Sequence, residues 1–162
     1  MIDATQIFDG VLPNIGSAVT TTRVSTNTLD LLAARDVGAG EPLGIHVQVI
    51  EAFVGGTSVV VSYEVGATAG STYYALVATP VIPAAQLIAG EQIARFALPV
   101  NQVLNAASGV LNAPGRYIRL LYTVVGTFTA GTVFAYLNPR PDRNAFTAYP
   151  RNYTVYVDPD QI

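Results

Sequence analysis

His46 is the one histidine of the chain, so it is the first residue to consider for proton transfer. A general base needs a nucleophile within reach and a further group to orient it. His46 instead sits in an alternating apolar run beside Val47 and Gln48, with no Gly-x-Ser-x-Gly elbow to serve. A structural or surface histidine is the simpler reading. Glu51 and Glu64 flank a Gly-Gly turn and could approach across a hairpin as a carboxylate pair, the arrangement of a glycosidase. Acids facing each other on a solvated strand face are the commoner case. Asp142, Asp158 and Asp160 offer oxygen ligands, but the run Asp-Pro-Asp lacks the Gly and Glu of a calcium loop. Gly38 and Gly40 precede no helix start, so they make no phosphate cradle. Cysteine is absent, which removes disulfides, thiolate metal sites and cysteine nucleophiles together and fits a reducing cytosol. The sequon Asn152-Tyr153-Thr154 would matter only in a secreted protein. These residues predict no enzyme, no cofactor and no metal site. They point to contact between surfaces.

The elements that must carry such contacts are strands. Residues 43–53 alternate, with Ile45, Val47 and Val49 on one face and His46, Gln48 and Glu51 off it. After the turn at Val54, Gly55 and Gly56, the next strand sets Val59, Val61, Tyr63 and Val65 against Ser58, Ser62 and Glu64. Two alternating runs around a Gly-Gly turn predict a hairpin. Residues 116–125 and 132–137 predict a second one, with Gly126 and Gly131 flanking its turn. A strand over 72–79 ends at Pro80 and Pro83, a helix of a turn or two fits 84–93, and a strand follows over 93–98. Residues 19–28 suit a β-branched edge strand, 36–42 a loop, and 99–115 a loose segment. Short strands with frequent turn signals predict an all-β fold, a jelly-roll-like antiparallel β-sandwich over residues 1–137.

From Asn138 the composition changes: four Pro, three Arg and four aromatics follow in residues 138–162. Pro-Arg-Pro favours extended backbone, whereas a disordered tail is usually poor in aromatics. The segment reads as an arm that orders on a partner, or as a tail folded back on its own sandwich. Arg140, Arg143, Phe146, Tyr149, Arg151 and Tyr153 are its candidate contacts with a partner or a sister subunit. Tyr73, Tyr74 and Tyr117 could instead form an aromatic platform for a sugar, in a carbohydrate- or receptor-binding sandwich, although Trp is absent.

Composition narrows the partners. Charged residues are 12% of the chain, about half the usual ~25%, and mean hydropathy is +0.40. Such a chain has a large core, a sizeable contact surface, or both. All eight basic residues are Arg, which tolerates desolvated contacts better than Lys, though a high-GC coding bias gives the same result. A net charge of −3 offers no broad basic field for nucleic acid. Residues 65–90, 96–115 and 120–139 are charge-free at membrane-span length, but Gly, Pro, Ser, Thr or Asn interrupt each of them. They read as sheet in a soluble protein. The start MIDATQIFDG lacks the basic region of a signal peptide.

Three stretches then carry a family likeness: AVTTTRVSTNTLDL (18–31), RDVGAGEPLGIHVQVIEAFVGGTSVVVSYEV (35–65) and GRYIRLLYTVVGTFTAGTV (115–133). In this order the chain resembles the capsid cement, or decoration, proteins of tailed phages, typified by the Bordetella phage cement protein. The matching positions are Ser25, Thr26, Asn27, Asp30 and Leu31, then Arg35, Asp36, 38–43, 51–53 and 55–58, then 115–131. The resemblance implies a jelly roll, made in the bacterial cytoplasm, that sits on the outside of an icosahedral head. There it would bridge major capsid subunits as a homodimer or homotrimer. Residues 101–114 and the arm after Asn138 extend beyond the family pattern.

Overall fold

The strongest period-two patterns of the sequence are strands. The computed structural model describes residues 6–11, 15–31, 44–70, 72–97 and 116–138. The loop at 36–42, the loose segment at 99–115 and the arm with Arg140, Arg143, Phe146, Tyr149, Arg151 and Tyr153 lie outside the described residues. The strands are β1 (Ile7–Asp9), β2 (Ser17–Ala18), β3 (Arg23–Val24), β4 (Leu29–Asp30), β5 (Gly44–Gly55), β6 (Ser58–Gly66), β7 (Tyr74–Ala78), β8 (Ile82–Pro83), β9 (Gln92–Ala97), β10 (Tyr117–Val125) and β11 (Phe128–Asn138). Where one helix was expected, only a 3-10 turn forms, at Ala84–Gln86. Leu87, at φ −90° and ψ 58°, leaves the helical region and ends it after one turn. Of the expected edge strand at 19–28 only the two residues of β3 form; β3 and β4, which lies just past the expected span, both pair with β10.

Two antiparallel sheets make a sandwich. One has the order β1-β11-β5-β9, with β2 also on β11. The other has the order β3-β10-β6-β7, with β4 also on β10 and β8 also on β6. Take β3 with β4, and β7 with β8, as interrupted strands, and leave β2 aside. The first sheet then reads 1-8-3-6 and the second 2-7-4-5, the strand order of a jelly roll.

That order corrects both expected hairpins. β5 and β6 are consecutive but belong to different sheets, and so do β10 and β11. The Gly-Gly and Gly-Thr turns are arches that carry the chain across the sandwich. The true partners are distant in sequence: β6 pairs with β10 from Ser58↔Val125 to Gly66↔Tyr117, and β5 with β11 from Gly55↔Phe128 to Gly44↔Asn138. Alternation reports that a strand buries one face; it does not report which strand lies beside it.

The two arches stack at one end. Gly56 N donates to Thr127 O at 2.9 Å, and Thr57 N to Val125 O at 2.8 Å. Phe53 and Phe128 meet edge to face there, with ring centroids 5.0 Å apart. A side chain on Gly131 would put a Cβ 2.5 Å from the Phe53 ring, and one on Gly56 would sit 2.5 Å from the Phe128 ring. Only glycine fits beneath these rings. Between the sheets, Ile45, Val47, Val49, Val59, Val61, Tyr63, Val65, Ile118, Leu120 and Tyr122 are fully buried, as the alternation predicts. Each such side chain contributes roughly 1.5–3 kcal/mol.

Candidate interaction surfaces

The densest polar cluster joins the two sheets along one side. Asp9, on β1, is fully buried. Its Oδ1 accepts from Arg23 Nη2 at 2.9 Å, from Thr26 N at 3.0 Å and from Thr26 Oγ1 at 2.8 Å. Its Oδ2 accepts from the Tyr122 hydroxyl at 2.7 Å. Next to it, Asn27 N donates to Phe8 O and Asn27 Nδ2 to Ile7 O. Ser25 Oγ accepts from Leu120 N at 3.1 Å and donates to Asn27 O at 2.7 Å. The run Ser25-Thr26-Asn27 therefore ties β1, in one sheet, to β10, in the other. Burial, with the Asp9 charge and hydrogen bond, pushes the Tyr122 hydroxyl well above its usual pKa. Asp9 was not singled out by sequence; its signal was an acid directly after two apolar residues that the fold buries.

On the outer face of the first sheet, His46 is buried, where the alternation predicts exposure. It stacks on Tyr136 at 5.3 Å, and Tyr136 in turn meets Phe134 at 5.4 Å. The Gln92 amide nitrogen lies 2.6 Å from His46 Nδ1. Burial, and then the charge of Arg95, lower the imidazole pKa to about 4. A ring that accepts from Gln92 is neutral, so His46 packs as an aromatic side chain.

The outer face of the second sheet carries Glu64, Arg119 and Tyr73 in one stack. Arg119 Nε donates to Glu64 Oε2 at 2.7 Å, and the guanidinium lies 3.8 Å from the Tyr73 ring centroid. Arg119 and Glu64 are register partners on β10 and β6, which brings them together. Beside them Arg116 makes a two-pronged bond to Asp30, at 2.6 and 2.7 Å, and lies 5.1 Å from the Tyr117 ring centroid. The expected approach of Glu51 to Glu64 does not occur. Glu64 is buried against Arg119 in one sheet, while Glu51 is exposed in the other, opposite Thr132. The tyrosines expected as a platform divide: Tyr73 and Tyr117 each lie beneath a guanidinium, and Tyr74 packs partly against the core.

Sequence reading also missed a groove of about 580 Å³ between β8 with its 3-10 turn and β9, lined by Pro80, Val81, Ile82, Ala85, Ile88 and Ile93. Val81 is 66% and Ile88 51% exposed on its lips. Their signal was a set of aliphatics between Pro80 and Gly90 that match no strand period. Among the described residues β9 pairs with β5 alone. No helix among the described residues is long and apolar enough to cross a membrane.

Compared with known proteins, the chain matches the family model described as Bbp16 over residues 14–137. The match takes in both arches and every strand but β1, so the chain belongs to the Bbp16 family, whose name points to a Bordetella phage protein. No curated protein matches it.

Proposed function

We propose that this chain is a capsid cement protein without catalytic activity. It binds the exterior of an icosahedral phage head and bridges neighbouring major capsid subunits, as a homodimer or homotrimer. The observation that carries this reading is the Bbp16 match over residues 14–137, all of the sandwich but β1. It agrees with the resemblance of the segments 18–31, 35–65 and 115–133 to phage cement proteins. Those segments hold Arg23, Thr26 and Tyr122, the partners of Asp9, and the two arches, so what the resemblance reports is the frame of the sandwich. The contacts with capsid are assigned elsewhere: to Arg140, Arg143, Phe146, Tyr149, Arg151 and Tyr153, as contacts with capsid or sister subunits. Neither nucleic acid nor membrane is a partner in this reading.

Cementing works by mass action. A molecule that binds the assembled shell and not its dissociated subunits shifts the balance toward the shell. An oligomer that engages two lattice sites at once holds with modest individual contacts. The test is quantitative mass spectrometry of purified particles, comparing this chain with the major capsid protein. A simple fraction of the lattice number, hundreds of copies, is expected. A few copies per particle would instead indicate a tail or receptor-binding part. The sugar-binding alternative is the weaker one, because guanidinium groups lie over the rings of Tyr73 and Tyr117 where a sugar would stack.

A further inference from the structure

We infer that the groove between β8, with its 3-10 turn, and β9 is the surface by which two copies of this chain associate about a two-fold axis. The inference rests on the homo-oligomer of the cement reading and names its contact. The two rims of the sandwich differ in kind. On one side, where the strand orders begin with β1 and β3, the polar network of Asp9, Arg23, Thr26 and Tyr122 ties sheet to sheet. On the other side the orders end with β9 and with β7, which β8 continues. There the groove of about 580 Å³ is lined by residues of both sheets. Ile82 and Ala94 line it and also belong to the core, so the floor of the groove is the core itself. Val81 and Ile88 on its lips are more than half exposed, and Val77 on β7 is exposed as well. No charged residue occurs from Val65 to Gly90 except at its margin, where Glu91 follows. An exposed apolar surface of this kind marks contact with another macromolecule.

Charge identifies that macromolecule. Glu91 and Arg95 are both exposed and both line the groove, roughly 13 Å apart along the chain of β9. A partner that fits must bring a base to the acid and an acid to the base, at the same spacing. A second copy turned about a two-fold axis does so. Glu91 of each copy then meets Arg95 of the other, and two equivalent ion pairs frame an apolar centre. The guanidinium carries several N–H donors, so this contact does not compete with those Arg95 makes in its own chain. Gln86 and Gln92, which also line the groove, complete a polar margin around Val81, Ile82, Ile88 and Ile93. An apolar centre inside a polar rim is the ordinary build of a protein interface. The same symmetry seats Val81 and Ile88 of each copy in the groove of the other, so one patch is both knob and hole.

Sedimentation velocity of the full-length protein over a range of concentrations, with no head present, tests this. The wild type should form a dimer. E91R and R95E each set like charges against each other at two symmetric points, and each should weaken the dimer by at least about tenfold. An equal mixture of the two variants should recover the wild-type affinity to within about threefold, because every acid again meets a base. Mixing cannot rescue a fault that lies within one chain. V81D/I88D changes two exposed side chains and should be monomeric while melting like the wild type. A dimer that neither reversal weakens, a mixture no tighter than its components, or an undiminished V81D/I88D dimer overturns the groove contact and leaves the homo-oligomer standing. A trimer overturns the two-fold arrangement. A wild type that stays monomeric at every concentration overturns this inference together with the homo-oligomer, whereas the copy number on purified heads decides the cement role separately.

Discussion

Asp9 is a carboxylate with no exposure, and its four hydrogen bonds run from its own sheet to the other, to Arg23 on β3, Tyr122 on β10 and Thr26 between β3 and β4. A buried charge is stable only while its partners remain. Asp9→Ala leaves the Arg23 guanidinium and the Tyr122 hydroxyl uncompensated and should cost about 3–5 kcal/mol in denaturant unfolding. Tyr122→Phe removes one bond to a charged group and should cost roughly 1.5–3 kcal/mol. In the Asp9→Ala background the same change should cost far less, and equal costs in both backgrounds would show that the two do not interact. His46 makes a second prediction, in pH. Its imidazole titrates near 4 in the fold and near 6.5 when unfolded. Above about pH 7 both states are neutral and the folded state keeps its full stability. Between 6.5 and 4 the unfolded chain takes up the proton first, so stability falls as pH falls, by about 3 kcal/mol at most. Below 4 this contribution stops changing. His46→Gln should flatten that window relative to the wild type in pH-dependent thermal melts, and identical slopes would refute the assignment.

The element scale is where sequence and structure diverge most. Residues such as Val59, Val61 and Tyr63 announce their strands because burial of one face imposes a period of two, and the core is made of those residues. The same pattern is silent about pairing. Gly55-Gly56 and the segment from Gly126 to Gly131 read as hairpin turns, yet the chain passes at each from one sheet into the other, and the ladders close over more than fifty residues of sequence (Ser58↔Val125, for example). Nor does the pattern tell a solvated face from one covered by neighbours. Glu64 and His46 look exposed by alternation, but Arg119 with Tyr73 and Tyr136 with Gln92 cover them. The arches themselves give a sharp contrast in glycine chemistry. Gly131 has φ +137° and no space, because a Cβ would strike the Phe53 ring, whereas Gly90 has φ +90° with open space around it. Gly90→Ala should therefore cost only the backbone strain, about 1 kcal/mol. Gly131→Ala adds displacement of a ring at the arch junction and should cost at least about 2 kcal/mol more. Equal losses in thermal unfolding would show that Phe53 moves freely aside.

At the scale of the whole molecule, the question in the cement reading is what kind of force a sparsely charged sandwich brings to a capsid lattice. The arginines Arg23, Arg116 and Arg119 are each bonded to a carboxylate of the same chain. Pairs closed within one molecule project little field, and salt screens what remains beyond about 8 Å. Long-range steering is thus a small part of association, and apolar contact multiplied over lattice sites carries the affinity in the cement reading. Arg140, Arg143 and Arg151 in the C-terminal segment are the charges assigned to the contact itself. Head occupancy should then fall less than about threefold between 0.1 and 0.5 M salt, since a contact dominated by several open ion pairs would fall tenfold or more. The triple change R140A/R143A/R151A should remove most of the remaining salt dependence. It should also lower occupancy steeply, because an oligomer that loses part of each contact loses it at every site it bridges. A triple variant that binds heads like the wild type, with the same salt response, would move the contact off the C-terminal segment and onto the sandwich, where the Tyr73–Arg119–Glu64 face is the next surface to probe.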